Sequence, residues 1–271
     1  MGFSRGRKDA PEPDEVAAEL TALSAQMERR GAGEPAAVWH RRGRSRAKAL
    51  VGSVSGALVK GGAAAGRGGK AMADRLVEAA PRIPVRDLAT LRAQHPDAAT
   101  PEELADRLVL GACRASGAVG ASIGAAAMLP VPPAMPVEIA AEALAVAAVE
   151  IKLIAELHEV YGQAPQGTRT QRATAYVTAW AERRGIDRNA LIAPASLAAV
   201  ALGAEVRQKV RRRLVHSSLR RLPSLTPLLV GAGVGAMVNR RDTRKLAGEV
   251  RADLTGRAPL APGYWDAADQ R

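Results

Sequence analysis

Aromatic residues are almost absent from this 271-residue chain, which contains one Phe, three Trp and three Tyr. Hydrophobic residues still make up 47% of the chain, so alanine and short aliphatic side chains must supply most of its core. A core of small residues is stabilised by the close approach of helix backbones rather than by large side chains. The composition therefore predicts tightly packed helices, and no segment has the alternating pattern of a β-strand.

The strongest helix signal lies in the middle of the chain. Thr100 suits an N-cap, Pro101 suits the first helical position, and Glu103 is placed for the reciprocal bond of a capping box. The helix that begins here is predicted to cover 100–128. Four prolines then interrupt the chain, and a second helix is predicted over 136–161. Together these segments predict a long central αα-hairpin.

Other helices are predicted on both sides of the hairpin. Apolar periodicity and Gly or Pro stops place them at 14–30, 35–60, 71–80, 85–94, 168–184, 188–221 and 223–254. Residues 1–12 are predicted to be disordered, the glycine-rich stretch 61–69 is a candidate joint, and 255–271 is predicted to form an extended tail. The sequence thus predicts an all-α, Gly/Ala-rich bundle of about seven to nine helices in a single domain, 13–254.

The charge is strongly positive, with a formal net charge of +12 and an isoelectric point near 10.7. Such a chain is attracted to anionic surfaces, whether phospholipid or nucleic acid. Residues 205–222 predict an amphipathic basic helix, which can either bind an anionic surface or pack its apolar stripe in the core with its arginines solvated. The predicted anion-binding residues are Arg207, Lys209, Arg211, Arg212, Arg213, Arg220, Arg221, Arg240 and Arg241.

No segment is predicted to cross a membrane. The helix at 136–161 carries six charged residues, each of which costs about 3 kcal/mol in the bilayer centre. The stretch 222–239 has no charge, but it contains two prolines and three glycines. Because arginines flank it on both sides, a shallow re-entrant insertion suits it better than a crossing.

Glycines on the predicted helices are interpreted as packing positions. Residues 120–124 match the pattern of a nucleophile elbow, but that motif needs a preceding strand and here lies in a helix. The predicted helix-packing glycines are Gly117, Gly120, Gly124, Gly231 and Gly235.

No set of residues predicts catalysis, a cofactor or a metal. His158 and Glu159 begin a zinc-protease motif, but Gly162 stands where the second histidine is needed. The single cysteine, Cys113, excludes an intramolecular disulfide and fits a buried position in a cytoplasmic protein. The sequence therefore predicts a protein that is not an enzyme.

Two segments carry a family resemblance. Residues 152–162 end a helix on a Tyr-Gly pair, and a Pro/Gly-rich segment from Leu222 to Asn239 follows later in the chain. Together they resemble the bacterial EcsC-like family and the related domain of unknown function attached to some membrane-linked GTPases. The resemblance covers about residues 105–250. It implies a membrane-associated helical architecture and a link to transporter or envelope processes, and it brings no catalytic residues.

The sequence as a whole predicts a non-enzymatic, cytoplasmic helical protein, peripheral to the inner face of the cell membrane. Its predicted partner is an anionic membrane surface or a membrane protein. One alternative is a basic nucleic-acid-binding helical protein, although no aromatic stacking motif or zinc knuckle supports it. The other alternative is a soluble structural or interaction scaffold.

Overall fold

A computed structural model describes residues 13–28, 42–43, 45–52, 79–126, 135–185 and 227–268. Its elements are α1 (Pro13–Glu28), a 3₁₀ turn (Ala80–Arg82), α2 (Leu88–Gln94), α3 (Pro101–Ala126), α4 (Met135–Val160), α5 (Arg169–Arg183), α6 (Pro227–Thr255) and α7 (Tyr264–Ala267). Residues 42–43 and 45–52 are also helical. Across these ranges there is no strand, so the prediction of an all-α bundle of about seven to nine helices is confirmed.

Helix α4 is the centre of the bundle. Every residue from Ala147 to Leu157 is buried, and α4 contacts α1, α2, α3, α5 and α6. Because α4 is buried on every side over this stretch, it is stable in water only when other helices surround it. Its pairing with α3 forms the predicted central αα-hairpin, and the buried side chains make one continuous hydrophobic cluster.

Helices α3 and α6 form the most extensive contact of the bundle and run antiparallel. They cross at Gly120 and Gly235, where neither residue leaves space for a side chain. A Cβ on Gly235 would lie 2.5 Å from the carbonyl oxygen of Gly120, and a Cβ on Gly120 would lie 2.5 Å from that of Gly235. This crossing is therefore available to glycine alone.

Local signals set several helix ends. Thr100 Oγ1 accepts a hydrogen bond from Glu103 N at 3.2 Å, while the Glu103 carboxylate accepts from Ala99 N, one residue before the cap. At the end of α4, Gly162 has φ of 64° and allows the chain to leave the helix in the left-handed conformation. Gly185 does the same after α5, with φ of 65°.

The C-terminal segment differs from the extended tail that the sequence predicts. Residues 264–267 form the short helix α7, and the Tyr264 ring packs against Gly162. Tyr264 Oη donates to the Val160 carbonyl oxygen at 2.9 Å, and Leu260 N donates to the Gly162 carbonyl oxygen at 3.0 Å. The tail bends back because it satisfies carbonyl groups that the end of α4 leaves unpaired. The predicted disordered N-terminus and the joint at 61–69 lie outside the described residues.

Candidate functional site

One exposed strip of α6 combines basic and large apolar side chains. At 3.6 residues per turn its members fall within an arc of about 140°. Val234 and Met237 are 46% and 69% exposed, and Met237 is the most exposed large hydrophobic residue in the described chain. The strip, here called the α6 face, consists of Val234, Met237, Arg240, Arg241, Arg244 and Lys245, all exposed.

Among the residues that the structure describes, Lys245 is the one cation of the α6 face that forms an ion pair. Lys245 Nζ lies 3.8 Å from Glu249 Oε1, but both side chains are well exposed, and such pairs contribute little. Asp242 is half-buried and lies off the strip. Like charges four residues apart on a helix repel by a few tenths of a kcal/mol. Binding of an external anion would relieve this repulsion.

Two of these arginines rest on α3. The Arg240 side chain lies across Gly117, where an added Cβ would be 2.5 Å from Arg240 Nε. Arg244 lies close enough to the Cys113 thiol on α3 for its positive charge to favour the thiolate. Burial raises the pKa of that thiol, and the nearby positive charges of Arg244 and Arg240 oppose the rise without cancelling it. The Arg240 stem thus packs against α3, while Arg244 lies near the same helix.

A buried carboxylate holds the inner side of α6. Glu150 on α4 is 1% exposed, and it accepts hydrogen bonds from Trp180 Nε1 at 2.9 Å and Arg184 Nε at 3.1 Å. Thr243 Oγ1 donates to Glu150 Oε1 at 2.9 Å and lies at the same distance from Ser116 Oγ. These bonds join α3, α4, α6 and the end of α5, so the outer strip of α6 has a fixed orientation.

A second network of buried charges lies on the far side of α4. It comprises Glu28, Arg86, His95, Lys152 and Glu156. Arg86 bridges the two carboxylates, with Nη1 2.6 Å from Glu28 Oε2 and Nη2 2.7 Å from Glu156 Oε2. Lys152 Nζ donates to the Pro84 carbonyl oxygen at 2.7 Å and pairs with Glu156. Opposite charges are matched within this cluster, as buried ions require.

Burial and charge pairing shift the pKa of Glu28 and of Lys152 in opposite directions. Burial raises the pKa of Glu28, but hydrogen bonds from His95 and Arg86 outweigh it and hold the pKa below its usual value of 4.5. Burial lowers the pKa of Lys152, and the neighbouring Glu156 carboxylate only partly restores it. The cluster acts as an internal brace that joins α1 and α2 to α4.

The structure describes only part of the predicted anion-binding set. Arg240 and Arg241 are exposed on α6. The other predicted cations, Arg207, Lys209, Arg211, Arg212, Arg213, Arg220 and Arg221, lie outside the described residues. Arg244, Lys245, Val234 and Met237 were not predicted as site residues. Met237, Arg244 and Lys245 lie three or four residues from Arg240 or Arg241, and Val234 lies three residues before Met237, which is the signal that could have identified them.

The structure likewise describes the surroundings of only some of the predicted packing glycines. Gly117 lies beneath Arg240, and Gly120 meets Gly235 at the crossing of α3 and α6. Gly124 and Gly231 belong to α3 and α6, but their surroundings lie outside the described residues.

Ligand groups for a metal ion are not clustered anywhere in the part of the chain that the structure describes. Cys113 is buried. Within the same residues, no helix combines the length and the apolar character that a membrane crossing requires. The chain matches no protein-family model, no curated protein and no solved structure.

Proposed function

We propose that the protein is not an enzyme and binds an anionic membrane surface through the α6 face. The observation that carries this proposal is that four cations and two large apolar side chains are exposed on one strip of one helix. Such a strip suits a bilayer interface, where each cation near anionic headgroups contributes about 1 kcal/mol. The apolar side chains enter the boundary between headgroups and acyl chains. The resemblance to EcsC-like proteins, which implies membrane association, agrees with this proposal.

The geometry of α6 favours attachment along the bilayer surface. The stretch proposed from sequence to insert, 222–239, is described from residue 227, where it forms the first half of a continuous helix that ends at Thr255. The strip therefore runs along the outside of the described helices. Such a strip supports the proposal that the protein is peripheral to a membrane, which we place at the inner face of the cell membrane.

Nucleic acid is the weaker candidate for the same surface. Its phosphates would use the four cations but would leave Val234 and Met237 in water. Stacking of bases requires aromatic side chains, and the α6 face has none. A soluble scaffold would need neither the cations nor the exposed apolar pair.

Co-sedimentation with vesicles tests the proposal. The protein is expected to bind vesicles that contain phosphatidylglycerol and not vesicles of phosphatidylcholine alone, with binding that weakens as salt increases. The double variant Arg241→Glu with Lys245→Glu removes two favourable charges and adds two unfavourable ones. Its affinity for anionic vesicles is expected to fall by about thirtyfold or more, since each lost cation contributes about 1 kcal/mol.

The matched control is the double variant Arg107→Glu with Arg169→Glu. It makes the same change in formal net charge, but its two exposed positions lie on α3 and α5. Its affinity is expected to stay within about threefold of the wild type, because surface charges beyond a Debye length are largely screened. An equal loss in both double variants, or no binding by the wild-type protein, would contradict the proposal. Tighter binding to DNA than to anionic vesicles at the same salt concentration would favour the nucleic-acid alternative.

A further inference from the structure

The apolar and basic residues of the α6 face are separated along the helix axis. Val234 and Met237 come first, and Arg240, Arg241, Arg244 and Lys245 follow. With a rise of 1.5 Å per residue, the centres of the two groups lie about 10 Å apart. Both groups nevertheless point to the same side, so a flat anionic surface can meet them at once.

The apolar end of the strip is built for close approach to a surface. Gly233, beside Val234, is exposed and has open space around it, so no side chain at that position holds the helix away. Met237 is 69% exposed and its long, flexible thioether side chain fills irregular gaps. The apolar end is therefore suited to gaps between lipid headgroups.

Two side chains of this size can reach the acyl chains only where the headgroups are spaced apart. In a tightly packed bilayer the headgroups cover the acyl chains, and the four cations alone would attach the helix. On the basis of the proposed function, we propose that the α6 face recognises anionic bilayers with loosely packed headgroups, such as strongly curved membranes. Val234 and Met237 are the residues that sense the packing, and the cations are the residues that sense the charge.

Vesicles of identical anionic composition in two sizes test this inference. Small sonicated vesicles are strongly curved and have loosely packed headgroups, whereas large extruded vesicles are nearly flat. At equal lipid concentration, wild-type protein is expected to bind the small vesicles about tenfold more tightly, from burial of two partly exposed apolar side chains. The double variant Val234→Ser with Met237→Ser is expected to lose this preference, so that its affinities for the small and the large vesicles differ by less than about threefold.

Leu260→Ser is the matched control. Leu260 is 62% exposed and follows the last turn of α6, at the opposite end of the helix from Val234. The control is expected to keep the full preference for small vesicles. All three substituted positions are exposed, so no variant removes a core contact, and equal thermal unfolding midpoints would show that each remains folded.

The outcomes separate this inference from the proposed function. If wild-type protein binds both vesicle sizes equally, the packing inference is overturned and the proposed function stands. If it binds neither size, the proposed function is overturned and the inference with it. If the Val234→Ser, Met237→Ser variant keeps the preference for small vesicles, these two residues are not the sensors and the inference is also overturned.

Discussion

Replacing Arg86 with alanine is expected to lower the free energy of unfolding by about 3–5 kcal/mol, the usual loss when one partner of a buried ion pair is removed. Arg86 contacts both Glu28 and Glu156, and the three side chains are at most 12% exposed. The substitution leaves two buried carboxylates with only Lys152 and His95 to compensate them. Urea unfolding of the wild type and the variant at neutral pH measures the loss.

The loss of stability caused by Arg86→Ala should become smaller as the pH falls. In the wild type, the pKa of Glu28 lies below 4.5 in the folded state, so its stabilising contribution is present above about pH 4.5. That contribution is lost as the pH falls through the folded-state pKa. In the variant, burial raises the pKa of a carboxylate that has lost its cation, and protonation relieves the charge. The stability difference between the two proteins should therefore shrink between pH 7 and pH 5.

Arg107→Ala is the control for a surface pair. Arg107 Nη1 lies 3.8 Å from Asp97 Oδ2, and the Arg107 side chain is 44% exposed. Its loss is expected to cost less than about 1 kcal/mol. If Arg86→Ala costs no more than Arg107→Ala, or if its deficit grows as the pH falls to 5, the described charge cluster does not brace the bundle.

Adding a single methyl group to Gly235 is expected to destabilise the protein by about 3 kcal/mol, at the upper end of the usual overpacking range. The methyl group of Gly235→Ala would lie 2.5 Å from the Gly120 carbonyl oxygen. That oxygen belongs to the backbone, so the conflict is removed only if α3 and α6 move apart. Buried contacts on both sides of the crossing would then be lost.

The same Gly→Ala substitution at Gly248, also on α6, should change the stability in the opposite direction. A Cβ there meets nothing within 4 Å, so Gly248→Ala is expected to stabilise the protein by up to about 1 kcal/mol through helix propensity. Thermal unfolding of the two variants beside the wild type measures both effects. Equal effects at the two positions would contradict the described crossing of α3 and α6.

Local signals explain why much of the fold could be predicted from sequence. The Thr100 cap, the Gly162 stop and the apolar periodicity all act within a few residues, and the described helices α3 and α4 begin and end close to the predicted positions. The bent C-terminal tail could not be predicted in this way. Tyr264 contacts Gly162 across about a hundred residues of sequence, and no local pattern marks such a pairing.

The buried charges of α4 show a second limit of local reasoning. From sequence, the charged residues of this helix indicated only that it could not cross a bilayer. In the structure Glu150, Lys152 and Glu156 are among the most buried residues of the core. Other helices surround α4, so its charges are removed from water and must be paired. Their partners are distant in sequence, so the sequence could not identify them.

The α6 face was predicted only in part for the same reason. Arg240 and Arg241 stood out because they flank an uncharged stretch, whereas Val234 and Met237 belonged to that stretch. Which side of α6 is exposed depends on the meeting of Gly235 with Gly120. The sequence marked both glycines as packing positions, but it could not specify that they pack against each other.

The most direct test of membrane attachment places a fluorophore on the α6 face itself. Met237→Cys gives an exposed thiol, while the native Cys113 is buried and therefore protected from labelling. On small sonicated anionic vesicles, an environment-sensitive label at 237 is expected to shift its emission to shorter wavelengths and to be quenched by lipid-attached quenchers. The same label on Leu260→Cys is expected to remain in water. A label at 237 that stays in water while the protein is bound to these small vesicles would contradict the account.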